Sequence, residues 1–214
     1  MKNYKKNLEL LTKNHVYSKE MEHDSCGVGV IASTEGKKSR EIVEYGIQAL
    51  KAVWHRGAVD ADGKTGDGAG IHVEIPKDFF IEKIEVTGHD YDNSEICIGM
   101  IFLPRNDYSA QESCKTIVES ELTKNNFSIY GWRQVPVNPK VLGEKALQTM
   151  PEIIQVLFKS NDPNLLEKNL ERKIYETRKK IENKAFDASL NNFYICSISS
   201  KSIIYKGLYL AESI

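Results

Sequence analysis

Cys26 opens the run Cys26-Gly27-Val28-Gly29-Val30-Ile31-Ala32, directly after a polar stretch that ends in His23-Asp24-Ser25. Removal of residues 1–25 would make it a terminal residue carrying both a thiol and an α-amine. An α-amine titrates near 7.7 to 8.0, close to working pH, so one residue would then supply nucleophile and general base together. With the leader attached Cys26 has no such base. The alternative reading is a small buried strand residue, the usual fate of an isolated cysteine. Residues 1–25 are accordingly read as a leader or propeptide, and 26–214 as the domain.

Other motifs imitate chemistry without completing it. Gly63-Lys64-Thr65 resembles the end of a phosphate-binding loop, but Ala58 stands where the first glycine belongs and the segment runs on into a strand. Gly27-x-Gly29-x-x-Ala32 lacks the preceding strand and following helix of a dinucleotide fingerprint. Asp60, Asp62 and Asp67 do not form a calcium loop, because counting from Asp60 puts Lys64 and Ile71 where ligands belong. They read instead as turn residues bonding nearby amides. His55 has no His or Cys at metal-ligand spacing, and Cys26, Cys97, Cys114 and Cys196 are too far apart for a CxxC pattern. No metal is expected, and three of the cysteines read as small core residues.

The elements that must position Cys26 follow from hydrophobic periodicity. Residues 26–32 alternate as a strand whose glycines imply close packing on its backbone. Val43, Ile47, Leu50 and Trp54 form the stripe of a helix over 40–54 capped by Ser39. Five glycines between Gly57 and Gly70 make a structured loop, and Ile71, Val73 and Ile75 alternate as a strand ending at Pro76, before a short helical piece at Phe79 and Phe80. Residues 96–103 read as a central strand, followed by a helix with Ser109 and Glu112 as capping box. Strands are expected at 127–137 and 153–158, with a short helix at 142–147 between them. Leu166, Leu170, Ile174, Arg178 and Ile181 mark a longer helix with a solvated outer face. Two closing strands, 193–199 and 203–210, read as a hairpin through Ser200-Lys201-Ser202.

This irregular order of strands and helices indicates an α+β layered sandwich in one domain. A length of 214 residues suits one core, and 41% apolar with 28% charged residues excludes a disordered or collagen-like chain. A net charge of −1 argues against nucleic acid and anionic membranes as partners. With no membrane-spanning run and no secretory signal, the chain reads as cytoplasmic.

Asp24-Ser25-Cys26-Gly27-Val28-Gly29-Val30-Ile31-Ala32, His55-Arg56-Gly57-Ala58-Val59-Asp60-Ala61-Asp62 and Thr65-Gly66-Asp67-Gly68-Ala69-Gly70-Ile71 together resemble the N-terminal class II glutamine amidotransferase domain of glutamate synthase large subunits. Gly131-Trp132-Arg133-x-Val135-Pro136-Val137 and the closing run through Ile204-Tyr205-Lys206-Gly207 are similar to it as well. The resemblance implies the N-terminal-nucleophile hydrolase αββα sandwich, here incomplete, and hydrolysis of glutamine by Cys26 to glutamate and ammonia. It implies that Arg56 orders the nucleophile terminus and that Asp67 and Gly68 shape the adjoining wall. Glutamine and the remaining amidotransferase and synthase domains are the implied partners. The chain itself would need no cofactor, with FMN and an iron–sulfur cluster in the synthase domain. The family's carboxylate-binding arginine, oxyanion-hole Asn-Gly and amine-binding acid follow the Tyr-Lys-Gly strand and fall after Ile214, so the 214-residue chain alone is expected to be inactive. The competing readings are an amidotransferase serving another acceptor and a non-catalytic interaction module.

Overall fold

Seven successive apolar residues can be accommodated in a strand only if both of its faces are covered, and Cys97–Leu103 (β2) meets that condition. The computed structural model describes residues 2–14, 27–54, 57–165 and 167–214. In it β2 lies inside a four-stranded antiparallel sheet ordered β3-β4-β2-β5, with β3 Phe127–Gln134, β4 Glu152–Ser160 and β5 Tyr194–Ser199. The expected central strand and its neighbours are therefore present. A second sheet pairs β1 (Ala69–Glu74) with β6 (Ser202–Gly207).

Six α-helices lie among the described residues: α1 Lys2–Asn14, α2 Arg40–Ala52, α3 Lys77–Val86, α4 Tyr108–Lys124, α5 Glu144–Gln148 and α6 Glu167–Asp187. The helix α1 was not expected, because the apolar residues of the first 25 positions lack a clear stripe. Cys114, Val118 and Leu122 of α4 and Leu170, Ile174 and Ile181 of α6 bury against Cys97, Ile101, Val156 and Phe158 of the sheet. Phe80 and Ile84 of α3, with Ile203 of β6, bury against Ile98, Met100 and Leu157 on its other face. Cys97, Cys114 and Cys196 are small buried core residues, as expected. Burial raises all three thiols, Cys114 to about 11, so none is a ready nucleophile.

Three expectations are corrected. Residues 27–33 form no strand ladder; Val28 and Val30 are 87% and 86% exposed, and among the described residues nothing approaches the position of a Gly29 side chain within 4 Å. Alternation alone does not make a strand where no partner edge is engaged. Secondly, the cap of α4 is Asp107, whose carboxylate accepts from the Ala110 amide at 2.9 Å, while Glu112 turns outward to Lys115. An aspartate two residues upstream outcompetes the serine because a carboxylate is the stronger acceptor at a helix N-terminus.

Finally, β5 and β6 are not a hairpin. They belong to different sheets, and the chain turns a corner between them. The corner is held by Glu171 of α6, whose carboxylate accepts from the Ser200 amide at 2.7 Å and the Ser200 hydroxyl at 2.8 Å, and from Ser199 Oγ at 3.0 Å. Ser199 Oγ in turn accepts from the Lys201 amide at 2.9 Å, and Ser197 Oγ from the Ile204 amide at 3.1 Å. These hydroxyls satisfy amides that a hairpin ladder would otherwise have paired.

Carboxylates also join the layers elsewhere. Glu121, buried on α4, accepts from Lys184 of α6, and this contact holds its carboxyl below its usual range. Asp92 accepts from Lys159 of β4, from the Ser94 amide at 3.2 Å and from the Tyr130 hydroxyl at 3.1 Å. Lys159, the main cause, holds the Asp92 carboxyl well below the ordinary aspartate range.

Two outcomes follow. Glu171→Ala strands the corner donors and should lower unfolding free energy by about 2 kcal/mol, the scale of charge-assisted hydrogen bonds, in chemical denaturation. Because the folded pKa of Asp92 is depressed, its contribution is complete above about pH 4 and disappears as pH falls through the folded value. Asp92→Asn should therefore be less stable at neutral pH, and the gap to the parent should narrow steadily on acidification from about pH 4 to 2. A gap independent of pH would contradict the ion-pair account.

Candidate active site

The glycine-rich segment folds back on itself before it enters β1. Val59 and Gly66 form an isolated antiparallel bridge, with Asp60 N donating to Thr65 O at 2.9 Å and Asp67 N to Ala58 O at 3.2 Å. Gly63 closes the turn at φ +68°, a conformation that favours glycine. Asp60 and Asp62 are the turn residues expected from sequence. Asp60 Oδ1 accepts from the Ala61 amide at 2.7 Å, and Asp62 Oδ1 accepts from the Lys64 and Thr65 amides at 2.9 and 2.7 Å.

This small hairpin is clamped to α5, a partner that nothing in the local sequence signals. Thr65, only 6% exposed, donates its hydroxyl to Asp62 Oδ2 at 2.5 Å and accepts from the Ala146 amide at 3.4 Å. A side chain at Gly143 would collide with both Thr65 and Asp62. Lys145 reaches back to Asp60 Oδ2 at 2.6 Å. The Thr65 hydroxyl is the largest cause holding the Asp62 carboxyl far below its usual range, and Lys145 is the largest cause of the lowering at Asp60. Thr65 thus spends its hydroxyl on structure, in the position that imitates a phosphate loop.

On its other side the segment lies against the backbone after β6. A Cβ at Gly66 would sit 2.7 Å from the Tyr209 carbonyl oxygen, and one at Gly70 2.7 Å from the Tyr205 oxygen. Gly68 adopts φ +125° beside Gly207. Asp67 differs from the other two aspartates. Its carboxylate oxygen lies 3.2 Å from where a Gly57 side chain would stand and takes no side-chain hydrogen bond among the described residues. The structure therefore places Asp67 beside Gly57, and Gly68 beside Gly207 and Leu208. Cys26, Arg56 and His55 lie outside the described residues. No group of three or more metal-ligating side chains occurs among the described residues. Cys97 and Cys114 sit in one hydrophobic cluster and Cys196 in another, so these thiols do not form a set that fits an iron–sulfur cluster.

Residues 26–214 match the sequence model of the class II glutamine amidotransferases. The chain belongs to this family. Over 211 residues, 99% of the chain, it is 50% identical to the glutamate synthase [NADPH] large chain of Azospirillum brasilense. It is 37% identical over 90% of the chain to ferredoxin-dependent glutamate synthase 1 of Arabidopsis thaliana, and 38% identical over 93% to ferredoxin-dependent glutamate synthase of Pyropia yezoensis. The chain covers 14%, 12% and 13% of the lengths of those three proteins. Its mixed α/β architecture of two antiparallel sheets accords with a class II amidotransferase domain. Among the described residues no helix is long and apolar enough to cross a membrane.

The close approach at Gly66 gives a sharp expectation for this amidotransferase loop. Gly66→Ala pushes a methyl into backbone that cannot swing away and should destabilise by about 2 kcal/mol. Gly29→Ala, with open space around it, should stay within about 0.5 kcal/mol of the parent. Thermal and denaturant unfolding of the two variants checks the contrast.

Proposed function

We propose that this chain is the N-terminal, glutamine-hydrolysing part of a glutamate synthase, with Cys26 as its nucleophile once residues 1–25 are removed. The observation that carries the reading is the family match, which begins at Cys26 itself. The 50% identity to the Azospirillum large chain extends over 99% of the chain and so takes in leader sequence, as a precursor form requires. The reading includes the N-terminal-nucleophile hydrolase sandwich and a cytoplasmic location.

In this mechanism the Cys26 thiolate attacks the glutamine side-chain amide carbon. The proton taken from the thiol passes by way of the liberated α-amine to the departing nitrogen, and ammonia leaves a glutamyl thioester. Water, deprotonated by the same amine, cleaves the thioester and restores the thiol. Asp67 and Gly68 form the wall beside Gly57, and Arg56 orders the nucleophile terminus. Ammonia then serves reductive amination of 2-oxoglutarate in a synthase domain that holds FMN and an iron–sulfur cluster. In the family the groups that hold the substrate carboxylate and the oxyanion follow the Tyr-Lys-Gly strand, after position 214. A polypeptide of residues 1–214 alone therefore hydrolyses no glutamine, since one lost oxyanion donor already costs about 100- to 1000-fold.

The test uses the longer protein that contains this chain. Intact mass should report loss of residues 1–25, and diazo-oxo-norleucine should label Cys26 stoichiometrically. Cys26→Ala should abolish glutamine hydrolysis while leaving ammonia-dependent glutamate formation intact. Retention of the leader in an active enzyme, or full glutaminase activity in the Cys26→Ala variant, would refute the assignment.

A further inference from the structure

The Gly131-Trp132-Arg133 motif is not used by the amidotransferase reading, and its geometry is unusual. A β-bulge between Ile129 and Gly131 interrupts the pairing of β3 with β4, and Gly131 takes φ +154° with Thr87 packed where its side chain would be. The extra residue reverses the alternation of the strand. Trp132 then faces α4, where its indole donates to Glu119 at 2.6 Å, and Arg133 pairs with Gln155 on the face that carries α3.

Gln155 is fully buried. Its side-chain oxygen accepts from Arg133 Nη1 at 2.7 Å, and its side-chain nitrogen is the buried polar atom without a hydrogen-bond partner among the described residues. The orphan nitrogen shares a carbon with the oxygen bound to Arg133, so it lies next to the guanidinium. That guanidinium stands 5.1 Å from the centre of the Phe79 ring, and the Lys83 ammonium stands 5.0 Å from the same centre. Neither cation has a carboxylate partner among the described residues. The Asp92 carboxylate, reached by Tyr130 on the same face of β3, is already taken by Lys159.

Two cations around the Phe79 ring and the unpaired Gln155 amide nitrogen thus have no carboxylate acceptor among the described residues. An unmatched buried donor is costly, and a guanidinium fork with an amide nitrogen beside it matches a planar oxyanion. We propose that Arg133, Gln155 and Lys83, arranged around Phe79, form a binding site for a carboxylate-type oxyanion on the α3–β3 face. The carboxylate has two possible sources: a small free molecule, or an acidic side chain of polypeptide outside these 214 residues.

Acetate and succinate titrations of the 214-residue chain, followed by side-chain amide and guanidinium nitrogen NMR, test the site. Saturable shifts of the Gln155 amide and Arg133 Nε signals are expected, and Arg133→Met and Gln155→Leu should each weaken binding by about tenfold, the loss of one charge-assisted hydrogen bond. Lys83→Met, at a half-buried position outside the sheet, keeps the test open should either core variant fail to fold, and should weaken binding severalfold. Repeating the titration on the longer protein separates the sources. Binding retained there identifies a free ligand, and binding blocked there identifies an internal carboxylate. Absence of saturable shifts in the 214-residue chain, or affinities unchanged in the folded variants, overturns the proposal. Glutamine hydrolysis is not the readout, so this outcome is independent of the role of Cys26.

Discussion

The glycine segment can lie where it does only because its backbone meets another backbone with no side chain between them. At Gly66 and Gly70 the space a Cβ would need is occupied by carbonyl oxygens of Tyr209 and Tyr205. Carbonyls of a strand and its continuation cannot swing aside as a side chain can, so this contact fixes the depth at which the segment sits. The register of β1 on β6 follows directly, since Ala69 pairs with Gly207 and Gly70 with Lys206 at the start of the strand. The second sheet, the wall containing Asp67 and the clamp onto α5 all hang from that one close approach.

The chain reaches this arrangement by changing sheets at the Ser199-Ser200 corner. A tight hairpin would have returned β6 onto β5 and extended the four-stranded sheet by one strand. Glu171 prevents this by taking up the Ser200 amide and the two serine hydroxyls that such a return would leave competing. Glu121 and Asp92 act similarly at other junctions, each joining segments distant in sequence, and in each a lysine partner holds the carboxyl below its ordinary range. Apolar burial makes the layers, and these acids determine how consecutive layers meet.

That division explains what could be read from sequence. The continuous apolar run of β2, the Ser39 cap of α2 and the buried stripe Leu170, Ile174, Ile181 are local patterns with one physical interpretation, and they were legible. The corner was misread because Ser200-Lys201-Ser202 satisfies hairpin chemistry as well as it satisfies Glu171, which lies about thirty residues upstream on another element. Residues 26–32 carried strand alternation, but over the described part, from 27 on, no partner edge converts it into a ladder. At the candidate site the turn aspartates were legible from their spacing, whereas the clamp from Thr65 to Ala146 joins residues 81 positions apart and leaves no local trace.

The three aspartates of the loop also show how one residue type is divided between scaffold and chemistry. Asp62 accepts three hydrogen bonds within its own turn, and Asp60 is held between the Ala61 amide and Lys145. A carboxylate so saturated has its lone pairs occupied and its proton affinity lowered, and it offers little to a substrate or a neighbouring cation. Asp67 takes no side-chain hydrogen bond among the described residues and is pressed against Gly57, a position where any side chain would crowd it. The loop thus spends two acids on rigidity to present a third. Among the described residues the loop is therefore better defined by what Asp60 and Asp62 have already given up than by the count of acids it contains.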